Sequence, residues 1–141
     1  MLLVRYALAT GVISGIWEGT DQTLLARQMV PDDPTYGAVF TDSGMPSEVQ
    51  ERWWVVDGAL VEKAVLVITA TSTPFAADGV TVCSITVVPF VECTLELNGT
   101  PYALTTGDPA IELTAEVPAV FQCTLAMMAG YWAEPISVEA V

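Results

Sequence analysis

The stretch CTLELNGTPYAL, residues 93 to 104, decides the fold class. Cys93, Leu95 and Leu97 alternate with Thr94 and Glu96, the period-two pattern of a strand with one buried face. Asn98-Gly99 supplies the two positive-φ positions of a type I′ turn, and Tyr102 and Leu104 lie on the return strand. The same alternation recurs on either side. In VTVCSITVV (residues 80 to 88), entered by the turn residues Asp78-Gly79, Cys83, Ile85 and Val87 share one face and Ser84 and Thr86 the other. Ile111 and Leu113 alternate with Glu112 and Thr114, and Phe121, Cys123 and Leu125 with Gln122 and Thr124. AVLVITATSTPFAADG (64 to 79) adds a strand and a turn, and PISVEAV (135 to 141) closes the series. About seven short strands at regular turn spacing predict an all-β chain whose later part is a β-sandwich, because two facing sheets each bury one face.

The earlier part reads as strands joined by tight turns. LLVRYAL and VISGIWEG flank Thr10-Gly11, a pair suited to a turn with positive φ, and predict a hairpin. TDQTLLARQM fits a helical turn with Thr20 or Asp21 as N-cap, or an irregular strand. VPDDPTYGAVFTDSGMPSE (30 to 48), rich in Pro, Gly and acids, predicts an exposed loop. Its Asp32 and Asp33, with Asp42, lack the spacing of an EF-hand, and the acids read as solubilising. RWWVVDGALVEK restores strand character: Asp57-Gly58 is a hairpin turn, and Trp53 and Trp54 point to opposite faces of one strand.

Charge bounds the partners. The 141 residues hold 17 Asp and Glu against four Lys and Arg, a formal net charge of -13, which leaves no basic cluster for phosphates and excludes nucleic acid. All four bases precede residue 64, with nine acids; the eight acids after it have no counterpart. That shift in composition places a boundary between a module of residues 1–63 and one of residues 64–141. Hydrophobic residues make up 52%, so the chain is expected to fold. Arg5, Thr10, Gly11, Ser14 and Gly15 interrupt the opening apolar run, which reads against a secretory leader. No stretch has the uninterrupted apolar length of a membrane span.

Chemistry-bearing residues are few. There is no His, so the commonest general base and the usual partner of a nucleophilic Cys are both missing, and Cys83, Cys93 and Cys123 have no zinc-site spacing. No catalytic residue, metal ligand or cofactor site is expected. The cysteines read as buried thiols; a Cys83–Cys123 bridge between strands would need an oxidising compartment, of which the sequence carries no sign.

The succession LVITATSTPFAADG, SITV, CTLELNG, IELTAEVPAVFQCTLAM and ISVEA, within residues 64 to 141, resembles the immunoglobulin-like module of tailed-bacteriophage virion proteins. Pro118-Ala119-Val120-Phe121 stands where that family has a Pro-Gly-aromatic corner. RYALATGVISGIW and WWVVDGALVEK are similar to the short N-terminal β-modules of phage tail and tail-fibre-associated proteins. The resemblance implies an Ig-like sandwich and a non-enzymatic virion component, assembled in the host cytoplasm with other virion proteins of tail, connector or capsid, and forming a homo-oligomer. A capsid decoration or head-fibre protein is the alternative placement.

Two surfaces compete for the binding role. MMAGYWAEP (127 to 135) reads as an apolar loop at a sandwich end, and Met127, Met128, Tyr131 and Trp132, with Trp53 and Trp54, are the interface candidates, because Met and aromatics are enriched at interfaces. The same residues fit a plug for the core. Alternatively Trp17, Trp53, Trp54, Trp132, Tyr36 and Tyr131 could stack on sugars, as in a host-surface carbohydrate-binding module.

Overall fold

A computed structural model describes residues 1–27, 34–42 and 46–141, and the chain is all-β: strands dominate and two short helices interrupt them. It divides into two compact units, Met1–Ala64 with Met127–Trp132, and Val65–Ala126 with Ala133–Val141. Neither unit is therefore continuous in sequence. A single composition boundary near residue 64 could not reveal that residues 127–132 leave the second unit for the first.

The first unit is built from β1 (Leu2–Ala7), β2 (Ile13–Glu18), α1 (Gln22–Ala26), β3 (Tyr36–Thr41), α2 (Pro46–Arg52), β4 (Trp53–Val56) and β5 (Ala59–Glu62). Its antiparallel sheet has the order β2-β1-β3, with Val4 opposite Ile16 on one side and Val39 on the other. Leu2 and Val4 point to one face with those partners and pack on Ile13, Val49, Trp53 and Leu60, so α2 and the β4-β5 hairpin roof that face. Asp57 (φ 50°) and Gly58 (φ 77°) make the two-residue turn of the hairpin. Asp21 caps α1, its Oδ1 accepting the N–H of Thr23 at 2.9 Å.

Residues 36–41 and 46–48, expected within one exposed loop, form β3 and the start of α2 instead, and Arg52, expected in a strand, ends that helix. In β3 the Gly and the flanking turn residues hid a strand that pairs along all of β1. At Gly37 the missing side chain is filled by the Tyr6 ring, which a Cβ would approach to 2.6 Å, so this glycine is a packing residue and not a breaker. Pro46 is the first residue of α2, the helix position where its fixed φ is tolerated.

The rest of the chain supplies β6 (Ala64–Ala70), β7 (Cys83–Val88), β8 (Cys93–Leu97), β9 (Thr100–Leu104), β10 (Ile111–Leu113), β11 (Ala119–Leu125), β12 (Tyr131–Ala133) and β13 (Ile136–Ala140), all of the second unit except β12, whose Tyr131 and Trp132 belong to the first. They form two sheets, ordered β10-β7-β6-β12 and β13-β11-β8-β9. One core joins the sheets: Ile68, Cys83, Ile85, Val87 and Ile111 from the first meet Leu95, Leu97, Leu104, Cys123 and Val138 from the second. Cys83, Ile85, Val87, Leu95, Leu97, Ile111 and Cys123 among them are positions that the alternation singles out, which is why period two sufficed to place those. Asn98 (φ 49°) and Gly99 (φ 83°) form the β8-β9 turn. The Asn98 N–H also donates to the Gln122 carbonyl while its Oδ1 accepts the Gln122 N–H, both at 2.9 Å, tying the turn to β11.

Both edges of the second sheet are protected. Segment 75–77 runs beside β13, with the Phe75 N–H donating to Glu139 O at 2.9 Å and the Val141 N–H to Phe75 O at 2.9 Å. At the other edge β9 carries Pro101, which removes an N–H that a further strand could use.

Candidate interaction surface

The six expected anchors do not form one exposed patch. Trp53 faces the cluster of the first unit. Trp54, on the opposite face of β4, lies between two glycines: a Cβ would sit 3.3 Å from its Cε3 at Gly11 and 3.6 Å from its Cζ2 at Gly130. Gly130 has φ 80°, and its carbonyl accepts the Ala64 N–H at 2.8 Å, which holds residues 127–132 against the first unit. The Arg52 guanidinium stands 4.3 Å from the Trp132 ring centroid, and the Trp132 Nε1 is buried with no hydrogen-bond partner among the described residues. Met128, Tyr131 and Trp132 are half-buried, and Met127 alone of the six is exposed, at 49%.

Residues 131–133, expected within a loop, are strand β12. A three-residue strand is too short to show a period, and the contact of Trp54 with Gly130 spans too much sequence for any local pattern to carry it. Lys63 was likewise illegible as a buried residue: it is 4% exposed, and burial holds its ammonium below the ordinary lysine range, partly countered by Glu51.

An exposed apolar face exists elsewhere, on the outside of the second unit's first sheet. Val65 and Val67 on β6 are 55% and 56% exposed, and Val88 on β7, directly opposite Val67, is 52% exposed. The adjoining outward pair is Thr69 and Thr86, so two neighbouring strands present only Val and Thr there. The outer face of the other sheet differs: Val120 stands opposite Glu139, Gln122 opposite Ser137 and Thr124 opposite Glu96. The sequence contained this signal, since Val65 and Val67 occupy the outward positions of an alternation whose inward residues are Leu66 and Ile68.

Asp78 and the cysteines are structural. Asp78 accepts the N–H groups of Val80 (2.9 Å) and Thr81 (2.7 Å) and the Thr81 hydroxyl (2.8 Å). Those bonds, the Thr81 N–H first, hold its carboxyl down to about 2 and fix the turn at Gly79 (φ 73°) ahead of β7. All three cysteines are free thiols. Cys83 Sγ donates to Ser72 O at 3.1 Å. Burial pushes Cys123 up to about 11, with Cys93 adding to it, and burial also raises Cys93.

A thiol in the unfolded chain ionises near about 8.5. The unfolded state therefore loses its Cys123 proton first, and this group subtracts stability as pH climbs from roughly 9 to 11 while contributing no pH dependence below. Native protein at about pH 8 is expected to react with a thiol-specific disulfide reagent far more slowly at Cys123 than the chain does in denaturant. Equal rates by mass spectrometry of the labelled peptides would contradict the burial.

Among the described residues no three acids or thiols are grouped to hold a metal ion. Asp42 is exposed beside the N-terminal amine at 3.7 Å, and Asp32 and Asp33 lie outside the described residues. No helix is long and apolar enough to cross a membrane among the described residues. The chain matches no family model, no curated protein and no solved structure.

Proposed function

We propose that the chain is a non-enzymatic structural component of a tailed-bacteriophage virion, a tail or tail-fibre-associated protein whose second unit is an Ig-like module. The observation that carries the assembly role is the exposed Val65-Val67-Val88 face, formed by outward side chains of two paired strands in a chain with 17 acids. A contiguous apolar face rimmed by polar residues is the usual signature of a protein contact, and burying it against a neighbouring subunit removes three valines from water. The acidic remainder keeps the free subunit soluble until it docks.

The strand order supports the Ig-like reading. With β10, β7 and β6 adjacent in one sheet, which β12 extends, β9, β8, β11 and β13 in the other, and a parallel bridge from Phe75 to Ala140, the order is compatible with an Ig sandwich whose first strand switches sheets.

Val67→Glu tests the face. The residue is exposed, so thermal unfolding is expected to change by no more than about 0.5 kcal/mol. Incorporation of the chain into particles is expected to fall about tenfold or more, the equivalent of about 1.4 kcal/mol of lost contact. Wild-type incorporation of the variant would reject the face as the contact. Electron microscopy of particles tagged at Val141 then locates the chain: density on the tail is expected, and density at regular lattice points of the shell would reject the tail placement.

A further inference from the structure

We propose that the face of the first unit's sheet opposite its core, centred on Arg5, binds a carboxylated saccharide. Arg5 lies in the middle strand β1, and its two cross-strand neighbours are Gly15 and Ala38, so nothing larger than a methyl group flanks it directly. The diagonal positions hold aromatic rings. The guanidinium carbon is 5.5 Å from the Trp17 ring centroid on β2 and 4.7 Å from that of Tyr36 on β3.

A β-bulge sets the guanidinium. Arg5 pairs with Gly15 and Tyr6 with Ile13, which leaves Ser14 as the extra residue. The Ser14 hydroxyl accepts from Arg5 Nε at 3.0 Å and lies 3.4 Å from Arg5 O, to which it donates. Nε is thereby committed, and the two Nη groups make no hydrogen bond or ion pair with any described residue. Although acids outnumber bases 17 to four in this chain, the Arg5 guanidinium is held between two rings with no carboxylate partner among the described residues.

The chemistry of the gap follows from these parts. A guanidinium fork receives a carboxylate through two parallel N–H bonds. Each ring turns one face to the guanidinium, and the C–H-rich remainder of the ring beside the fork is apolar surface against which a pyranose can pack, a contact that a simple carboxylate leaves unused. The net charge of -13 repels an anion at long range, but a Debye length of about 8 Å at physiological salt confines that repulsion. Binding is then decided by the fork and the rings. This site shares no residue with the valine face, so either can fail without the other.

Titration of the full isotope-labelled chain with glucuronic acid and N-acetylneuraminic acid, followed by NMR, tests it. Saturable shifts of the Arg5 Nε–H and Trp17 indole N–H signals are expected, with at least one acid sugar binding about tenfold or more tighter than methyl glucoside or acetate. Arg5→Gln is expected to lower that affinity about tenfold or more, and Arg5→Lys, which keeps the charge without the fork, by several-fold. Tyr36→Leu keeps the cation and removes one ring, and is expected to bring the sugar acid down toward acetate. No saturable shift with either sugar acid overturns the proposal, as does acetate or methyl glucoside binding as tightly, or an acidic peptide binding tighter than both sugar acids.

Discussion

Gly11→Ala is expected to cost the first unit about 3 kcal/mol or more. Gly11 holds φ 74°, where an L-residue with a Cβ is strained by about 1–2 kcal/mol. Its N–H donates to Ala7 O at 2.7 Å and its carbonyl accepts the Val55 N–H at 2.9 Å, so the turn after β1 is bonded directly to the middle of β4. A Cβ there would overlap the carbonyl oxygen of Val55, which belongs to the backbone and cannot rotate away. Relieving the overlap breaks the Val55 bond and leaves a buried donor unsatisfied, a further cost of about 1–3 kcal/mol. Gly58→Ala separates the two effects, because Gly58 has φ 77° but nothing within 4 Å of its Cβ position, and should lose only about 1–2 kcal/mol. All four tryptophans lie in the first unit, so fluorescence-detected urea unfolding reads it selectively. A midpoint for Gly11→Ala no lower than that for Gly58→Ala would contradict the close approach.

In the second unit the largest loss is expected from Leu95→Ala. Leu95 is 0% exposed, sits opposite Tyr102 on β9 and Leu125 on β11, and belongs to the core shared by the two sheets. Truncation removes three carbons and leaves a cavity between layers that cannot fully collapse, a loss of about 2–5 kcal/mol. Val67→Ala, on the exposed face, should stay within about 0.5 kcal/mol. Calorimetry distinguishes the two; similar small losses for both would mean that the sheets do not enclose the core described.

Much of the second unit was legible because its signals are local. Alternation through Cys83, Ile85 and Val87, and through Cys93, Leu95 and Leu97, names the buried face directly, and Asn98-Gly99 sets the hairpin register. The first unit was harder. β3 carries Gly37, whose function is to receive the Tyr6 ring from a neighbouring strand, and that purpose cannot be read from YGAVFT alone. The expected anchors are held by contacts just as distant in sequence. Met128, Tyr131 and Trp132 have the composition of a contact surface, but they are half-buried, and Gly130 between them lies against Trp54, 76 residues away in sequence. The valine face was encoded in plain alternation, yet outward valines in a strand read as β-propensity until the partner strand shows that Val67 and Val88 stand together.

The proposed virion role is tested most directly by quantitative mass spectrometry of phage particles purified from a host culture that produces the chain. A fixed copy number per particle, in constant ratio to the tail proteins and retained through density-gradient purification, is the result expected. Abundance in the infected-cell lysate with none in the purified particles would contradict it.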